Sequence, residues 1–225
     1  MKRNVFFESI LLLITFNFLI LSCSDDNVSQ PYQNNGLLKI SGKLTDWNYG
    51  TGKSLSMYTN PPYVTYLVGN SVISSNGDFS ILLSNPPQTE LKPVLELEPP
   101  SMFSNLSISD STVQGCFAEF LIKLDTANYF IGEVIPGKNQ ITFGVGDYFV
   151  DYIYLEKPMS ITGKQNYNLF NDSIEIVYNL NYSKGWNIRT YKVVEITEID
   201  SSKSFKKSEY NNKQEPDMVF KTHIF

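Results

Sequence analysis

From Gly36 onward, short hydrophobic runs of strand length alternate with clusters of turn residues. The runs "LLKISGKL", "SLSMYT" and "YVTYLVGNSVIS" come first, then the turn "SNGD" and the run "FSILL". An Asn-Gly step between two such runs predicts a β-hairpin, because a tight two-residue turn needs positive φ. Pro86-Pro87, Pro93 and Pro99-Pro100 then mark a connection that cannot be a central strand, since proline donates no ladder hydrogen bond. The same style resumes in "NLSISD", "AEFLIKLD", "YFIGEVIP" and "QITFGVGDYFVDYIYLE", with a turn expected at "PGKN". "MSITGK", "SIEIVYNLNY", the turn "SKGWN" and "IRTYKVVEIT" follow, with a polar loop expected between the first two. Ser201 to Gln214 reads as a long polar loop, and "DMVFKTHIF" as a closing strand covered on both faces. No window after the N-terminal segment has the 3.6-residue period of an amphipathic helix. The pattern predicts an all-β protein of two sandwich-like antiparallel β sections, residues 36–98 and 99–225.

The first 22 residues differ in kind. Lys2 and Arg3 precede the apolar run "SILLLITFNFLIL", which ends in Ser22 and Cys23. A spanning helix needs about 20 apolar residues, and this run is shorter and interrupted by Thr15 and Asn17. A basic start, a short apolar middle and a small residue at the end predict a cleaved signal peptide over residues 1–22. Ile20-Leu21-Ser22-Cys23 resembles a bacterial lipoprotein box. The resemblance implies that the Cys23 thiol carries a diacylglycerol and that the amine freed by cleavage is acylated. Several acyl chains, each methylene contributing roughly 0.8 kcal/mol on burial, would hold a domain durably on a membrane. Residues 23–35, starting "CSDDNVSQPYQ", are too polar to bury anything and are expected to form a flexible tether. Asp25 and Asp26 resemble the export signal of some Gram-negative lipoproteins, which implies an outer-membrane address facing the cell exterior.

Composition narrows the chemistry. The chain holds 14 Tyr, 15 Phe and 2 Trp, which suits strands rather than helices. A net charge of −5 argues against nucleic acid or anionic lipid headgroups as partners. With Cys23 lipidated, Cys116 stands alone, so the fold must be held by its core rather than by a disulfide. The segments "ISGKLTDW", "NGDFSI", "LSISDS", "ITGK" and "YNLNYSKGWN" together resemble a group of bacterial surface lipoproteins of unassigned function. Residues 36–98 resemble half of an immunoglobulin-like or prealbumin-like sandwich. Neither resemblance brings a catalytic residue.

The candidate chemistries are few. "YGTGKSL" lacks the first glycine of a phosphate loop, where Trp47 stands, and a strand rather than a helix follows it. "FGVGD" lacks the third glycine of a dinucleotide site and reads as a bend or bulge. A single histidine, His223, excludes a His-rich zinc site, and no calcium-loop motif is present; no cofactor and no metal are expected. Glu119, Glu133, Asp147, Asp151, Glu156 and Glu175 could supply the carboxylate pair of a surface hydrolase. In "DYFVDYIYLE", Tyr148, Tyr152 and Tyr154 share one face of a strand with Val150, and Phe149, Ile153 and Leu155 the other. The tyrosine face reads as the wetter one. A tyrosine ladder offers apolar area with polar tips, suited to a glycan or protein ligand, and Trp47 and Tyr49 could extend it. The alternative is that these tyrosines pack against the neighbouring section. Trp186 is expected to pin its hairpin. The reading is a lipid-anchored binding or structural module, not an enzyme, with the hydrolase as the alternative.

Overall fold

The computed structural model describes residues 32–34, 37–59, 66–97, 105–124, 130–138, 144–169, 172–199 and 202–224. The expected signal peptide, Cys23, residues 23–31 of the tether, Pro61-Pro62 and Pro99-Pro100 lie outside the described residues. Within them the fold is all-β: fifteen strands, no α-helix, and two single 3-10 turns at Gln88–Glu90 and Val94–Glu96. Residues 32–34, expected in the tether, are instead strand β1 (Tyr32–Asn34), with Tyr32 opposite Lys39 of β2 (Leu37–Thr45).

One core is enclosed by β2, β3 (Lys53–Thr59), β4 (Leu67–Val72), β5 (Asp78–Leu82), β8 (Gln114–Leu124), β9 (Phe130–Lys138) and β15 (Val219–Ile224). Ladders run β5-β2-β15-β9-β8-β3-β4. The Asn-Gly turn forms as expected, with Gly77 at φ 89° and its N–H donating to the Ser74 carbonyl at 3.0 Å. The strands it joins do not ladder with each other, however; β4 pairs with β3 and β5 with β2. The seam between them is closed by single bonds, Ser84 N–H to the Val68 carbonyl at 2.7 Å and Ser80 N–H to Ser71 Oγ at 3.1 Å. Gly69 permits this crossing, because a Cβ there would lie 2.7 Å from Ile81 Cγ2 and 3.0 Å from the Leu82 carbonyl oxygen. Opening the corner lets Val68 and Ile73 meet Ile81 and Leu83 across the core.

The closing strand β15 sits between β2, parallel, and β9, antiparallel. Phe220 is fully buried there, edge-on to Phe79 at 4.9 Å and to Phe120 at 5.9 Å between ring centroids. The remainder of the strand is partly exposed. The "PGKN" turn does not form at Pro136, since β9 continues through Lys138 with Pro136 opposite Phe220. The short β6 (Lys92–Pro93) pairs only at the start of β8, as its proline requires.

A second core lies behind β8 and β10 (Tyr148–Leu155), under β7 (Leu106–Ile108), β11 (Met159–Leu169), β12 (Asp172–Tyr182), β13 (Gly185–Ile199) and β14 (Ser202–Asn211). Two expected loops are strands here. β11 and β12 form one continuous hairpin ladder from Met159↔Tyr182 to Leu169↔Asp172. The polar segment from Ser201 contains β14, inserted between β12 and β13 and parallel to β12. Its polarity has a local cause: Lys207 pairs with Glu175 at 2.9 Å and Lys206 with Glu195 at 2.8 Å, while Ser208 and Tyr210 are buried. The sheet is therefore mixed rather than purely antiparallel.

The boundary at residue 98 does not separate the two cores. β3 pairs with β8 along its whole length, and β15 pairs with β2, so ladders from both sides enclose the first core. β8 and β10, paired from Tyr152↔Ala118 to Leu155↔Gly115, form a wall between the cores. Cys116, Ala118, Phe120, Tyr152 and Tyr154 face the first core, whereas Phe117, Ile153 and Leu155 face the second. Phe220→Ala should destabilise the fold by about 3–5 kcal/mol, since it empties the centre of a ring cluster. Urea denaturation monitored by tryptophan fluorescence measures this, and a loss below about 1 kcal/mol would contradict the placement.

Candidate functional site

Of the five aromatic residues expected to bind ligand, the structure brings Trp47 and Tyr49 together and removes the other three. The β2–β3 loop turns through Asp46, Gly50 and Gly52, all at positive φ. Trp47 Nε1–H donates to the Gly50 carbonyl at 3.1 Å. The Lys53 ammonium donates back to the Tyr49 carbonyl and, at 3.2 Å, to that of Thr51. This lysine, the most phosphate-loop-like residue of "YGTGKSL", is thus committed to the loop's own backbone. Trp47 is half-buried against the first core and packs over Gly77, where a Cβ would lie 2.7 Å from its own. Tyr49 meets Trp47 edge-on at 5.3 Å and is 41% exposed. Val72, 69% exposed, stands at the same end, opposite Ser54.

The tyrosine face of β10 is buried throughout, which corrects the expectation of a solvent-facing ladder. Tyr148, Tyr152 and Tyr154 are 1%, 1% and 8% exposed, because that face forms the inner wall of the first core. Tyr148 keeps a polar partner at the margin, donating to Asp217 Oδ1 at 2.8 Å. Burial acts to raise the Asp217 pKa, but Lys138, paired at 2.5 Å, and the Tyr148 hydroxyl outweigh it and hold the carboxyl below the usual range. Tyr154 stacks edge-on to Trp186 at 5.5 Å, and the Trp186 indole N–H donates to the Ser84 carbonyl at 3.0 Å. Trp186 therefore ties β13 to the first core. Its turn is fixed by Asn187, whose side chain bonds the Ser183 and Gly185 carbonyls at 2.8 Å each and accepts the Ser183 N–H at 2.9 Å.

Three of the six candidate carboxylates gather where β8 meets β9 and β10, on the face opposite the tyrosines: Glu119, Glu133 and Asp151. Glu119 is exposed on the outer face of β8, yet partial desolvation among the neighbouring strands, with the like charges of Glu133 and Asp151 adding to the shift, pushes its carboxyl up to about 7. Burial also raises Glu133. Arg189, a residue the sequence pattern did not single out, binds Asp151 Oδ2 through Nε at 3.0 Å and Nη2 at 2.6 Å. Its guanidinium lies over the rings of Phe117 and Tyr210 at 4.4 and 4.9 Å, sealing the edge of the second core. A carboxylic acid titrating near neutrality beside an Arg-held carboxylate can exchange a proton with a bound molecule. The other three acids serve structure. Asp147 accepts the Gly144 N–H in a turn before β10, Glu156 accepts the Gln114 N–H at 3.4 Å, and Glu175 is held below the usual range by Lys207 and Lys164.

Cys116 is buried, and desolvation, with the nearby Glu90 charge, pushes its thiol up to about 12, which keeps it protonated and unreactive. Among the described residues no group of three His, Cys, Asp or Glu side chains could hold a metal ion. Comparison with protein-family models, with curated proteins and with solved structures found no match.

Two outcomes follow. The Tyr152 hydroxyl is buried with no hydrogen-bond partner, so Tyr152→Phe should be neutral or stabilise by about 1 kcal/mol in denaturant titration; a loss of that size would mean the hydroxyl is bonded. Because Glu119 has a folded pKa above its unfolded value, its favourable contribution is complete below the unfolded value and is lost as pH rises through about 7. Glu119→Gln should then raise the melting temperature at about pH 8 and leave it unchanged at about pH 4. The opposite pH trend would place Glu119 in a favourable ion pair.

Proposed function

We propose that the protein is a lipid-anchored cell-surface binding module, held at the outer membrane through an acylated Cys23 and facing the cell exterior. It contacts a glycan or protein ligand through the loop end that carries Trp47, Tyr49 and Val72. The observation that supports this reading most is an exposed aromatic ring on a loop already fixed by its own hydrogen bonds. Such a ring offers contact area at little further entropic cost. A rigid β scaffold presenting recognition residues on its loops is a common division of labour. The lipoprotein box and the acidic "SDD" segment support the address.

A second reading has its own observation. Glu119, titrating near 7, and the Arg-held Asp151 could serve a surface hydrolase as proton donor and carboxylate partner. The two readings separate in one experiment with the domain from Ser24 onward on glycan and peptide arrays. Tyr49→Ala should weaken binding about tenfold or more and Glu119→Gln should leave it unchanged. Turnover of an array member that Glu119→Gln abolishes would favour the hydrolase. For the address, added protease should degrade the domain on intact cells. Protection there, with degradation only after lysis, would contradict surface display.

A further inference from the structure

Among the described residues two buried polar atoms have no hydrogen-bond partner, the Tyr152 hydroxyl and Nε2 of His223. The phenol stays neutral at ordinary pH. The imidazole can take up a proton as pH falls, and burial, with the Lys221 charge, holds its pKa below the ordinary histidine value.

His223 lies near the end of β15, where that strand is held least. Phe220 and Lys221 are flanked on both edges, by Leu44 and Thr45 of β2 and by Pro136 and Ile135 of β9. Beyond them the β2 ladder stops, and among the described residues one long side-chain bond continues the contact, Thr222 Oγ1 to the Thr45 carbonyl at 3.4 Å. Thr222, His223 and Ile224 then pair with β9 alone, His223 directly opposite Glu133. Gly132 makes this contact unusually close, since a Cβ there would lie 2.5 Å from the His223 carbonyl oxygen.

We infer that Thr222–Ile224 form an acid-released latch, in which protonation of His223 frees this end of β15 from β9. Whichever ring nitrogen carries the proton in the neutral form, the imidazolium must donate from Nε2, and among the described residues nothing accepts from that buried atom. The charged groups around it do not compensate. Lys221 on the same strand repels the new charge and, after burial, is the second reason that the imidazole pKa lies below its ordinary value. Glu133 on β9 is the one carboxylate directly opposite, but burial biases it toward the neutral acid, so its counter-charge fades as pH falls. On β8, Glu119 and Lys123 flank Leu121, the residue opposite Glu133. On β2, Thr45 is the neighbour, with Asp46 next to it and Lys43 two residues before it. A histidine held below its unfolded pKa binds the proton better when released, so the latch weakens as pH falls below the ordinary histidine range.

Amide hydrogen exchange at about pH 7.5 and about pH 5, corrected for intrinsic rates, tests the latch. Protection at Thr222–Ile224 and Gly132–Val134 should fall severalfold at the lower pH, while the β13–β14 ladder holds. His223→Gln should abolish the change, and Glu133→Gln should retain or enlarge it. An imidazole NMR titration of the unaltered protein should give a midpoint below the usual histidine value. Protection independent of pH, an unchanged response in His223→Gln, loss of the response in Glu133→Gln, or a midpoint at or above the usual value would each overturn the latch.

Discussion

The pairing of β8 with β10 is the constraint on which the fold depends. Both strands are buried on both faces near their contact, so each alternate residue must suit a different core. The backbones approach too closely for any side chain at Gly115, where a Cβ would lie 2.4 Å from the Tyr154 carbonyl oxygen. Arg189 completes the wall at its outer edge, binding Asp151 and covering Phe117 and Tyr210 from two further strands. A partly buried guanidinium of this kind is costly unless both its charge and its faces are matched, and here they are.

Aromatic rings do the work that a disulfide does in small secreted domains. Phe79, Phe120, Tyr152 and Phe220 meet edge to face at 4.9 to 6.2 Å and fill the centre of the first core. Such contacts favour one arrangement over many, beyond the area they bury. The consequence for function is that most of the chain's tyrosine along β10 is spent on packing. What remains for contact is at the loop ends, with Tyr49 at one, and on the acidic outer face around Glu119.

The fold class was legible because strand and turn signals are local. "LLKISGKL", "SLSMYT", "FSIL" and "IRTYKVVEIT" all fall in strands. Layer assignment was not legible. The Asn-Gly turn was read correctly, yet its two strands part company because the core lies between them, which no local pattern encodes. Period-two alternation in "DYFVDYIYLE" separated two faces without saying which was dry, since both are buried and tyrosine suits either setting. β14 was hidden because its inward Ser208 is small and polar and its outward lysines are neutralised by glutamates distant in sequence. Of the candidate site, Trp47 and Tyr49 were legible as a Gly-rich aromatic loop. The gathering of Glu119, Glu133, Asp151 and Arg189 depends on register between four strands and had no sequence signal.

If β8 and β10 are a wall common to two cores, neither core can melt while the other stands. Differential scanning calorimetry of the domain from Ser24 onward tests this most directly. A single transition with calorimetric and van't Hoff enthalpies in agreement is the expected result. Two resolved transitions, or a calorimetric enthalpy well above the van't Hoff value, would show that the cores unfold separately and that the wall does not couple them.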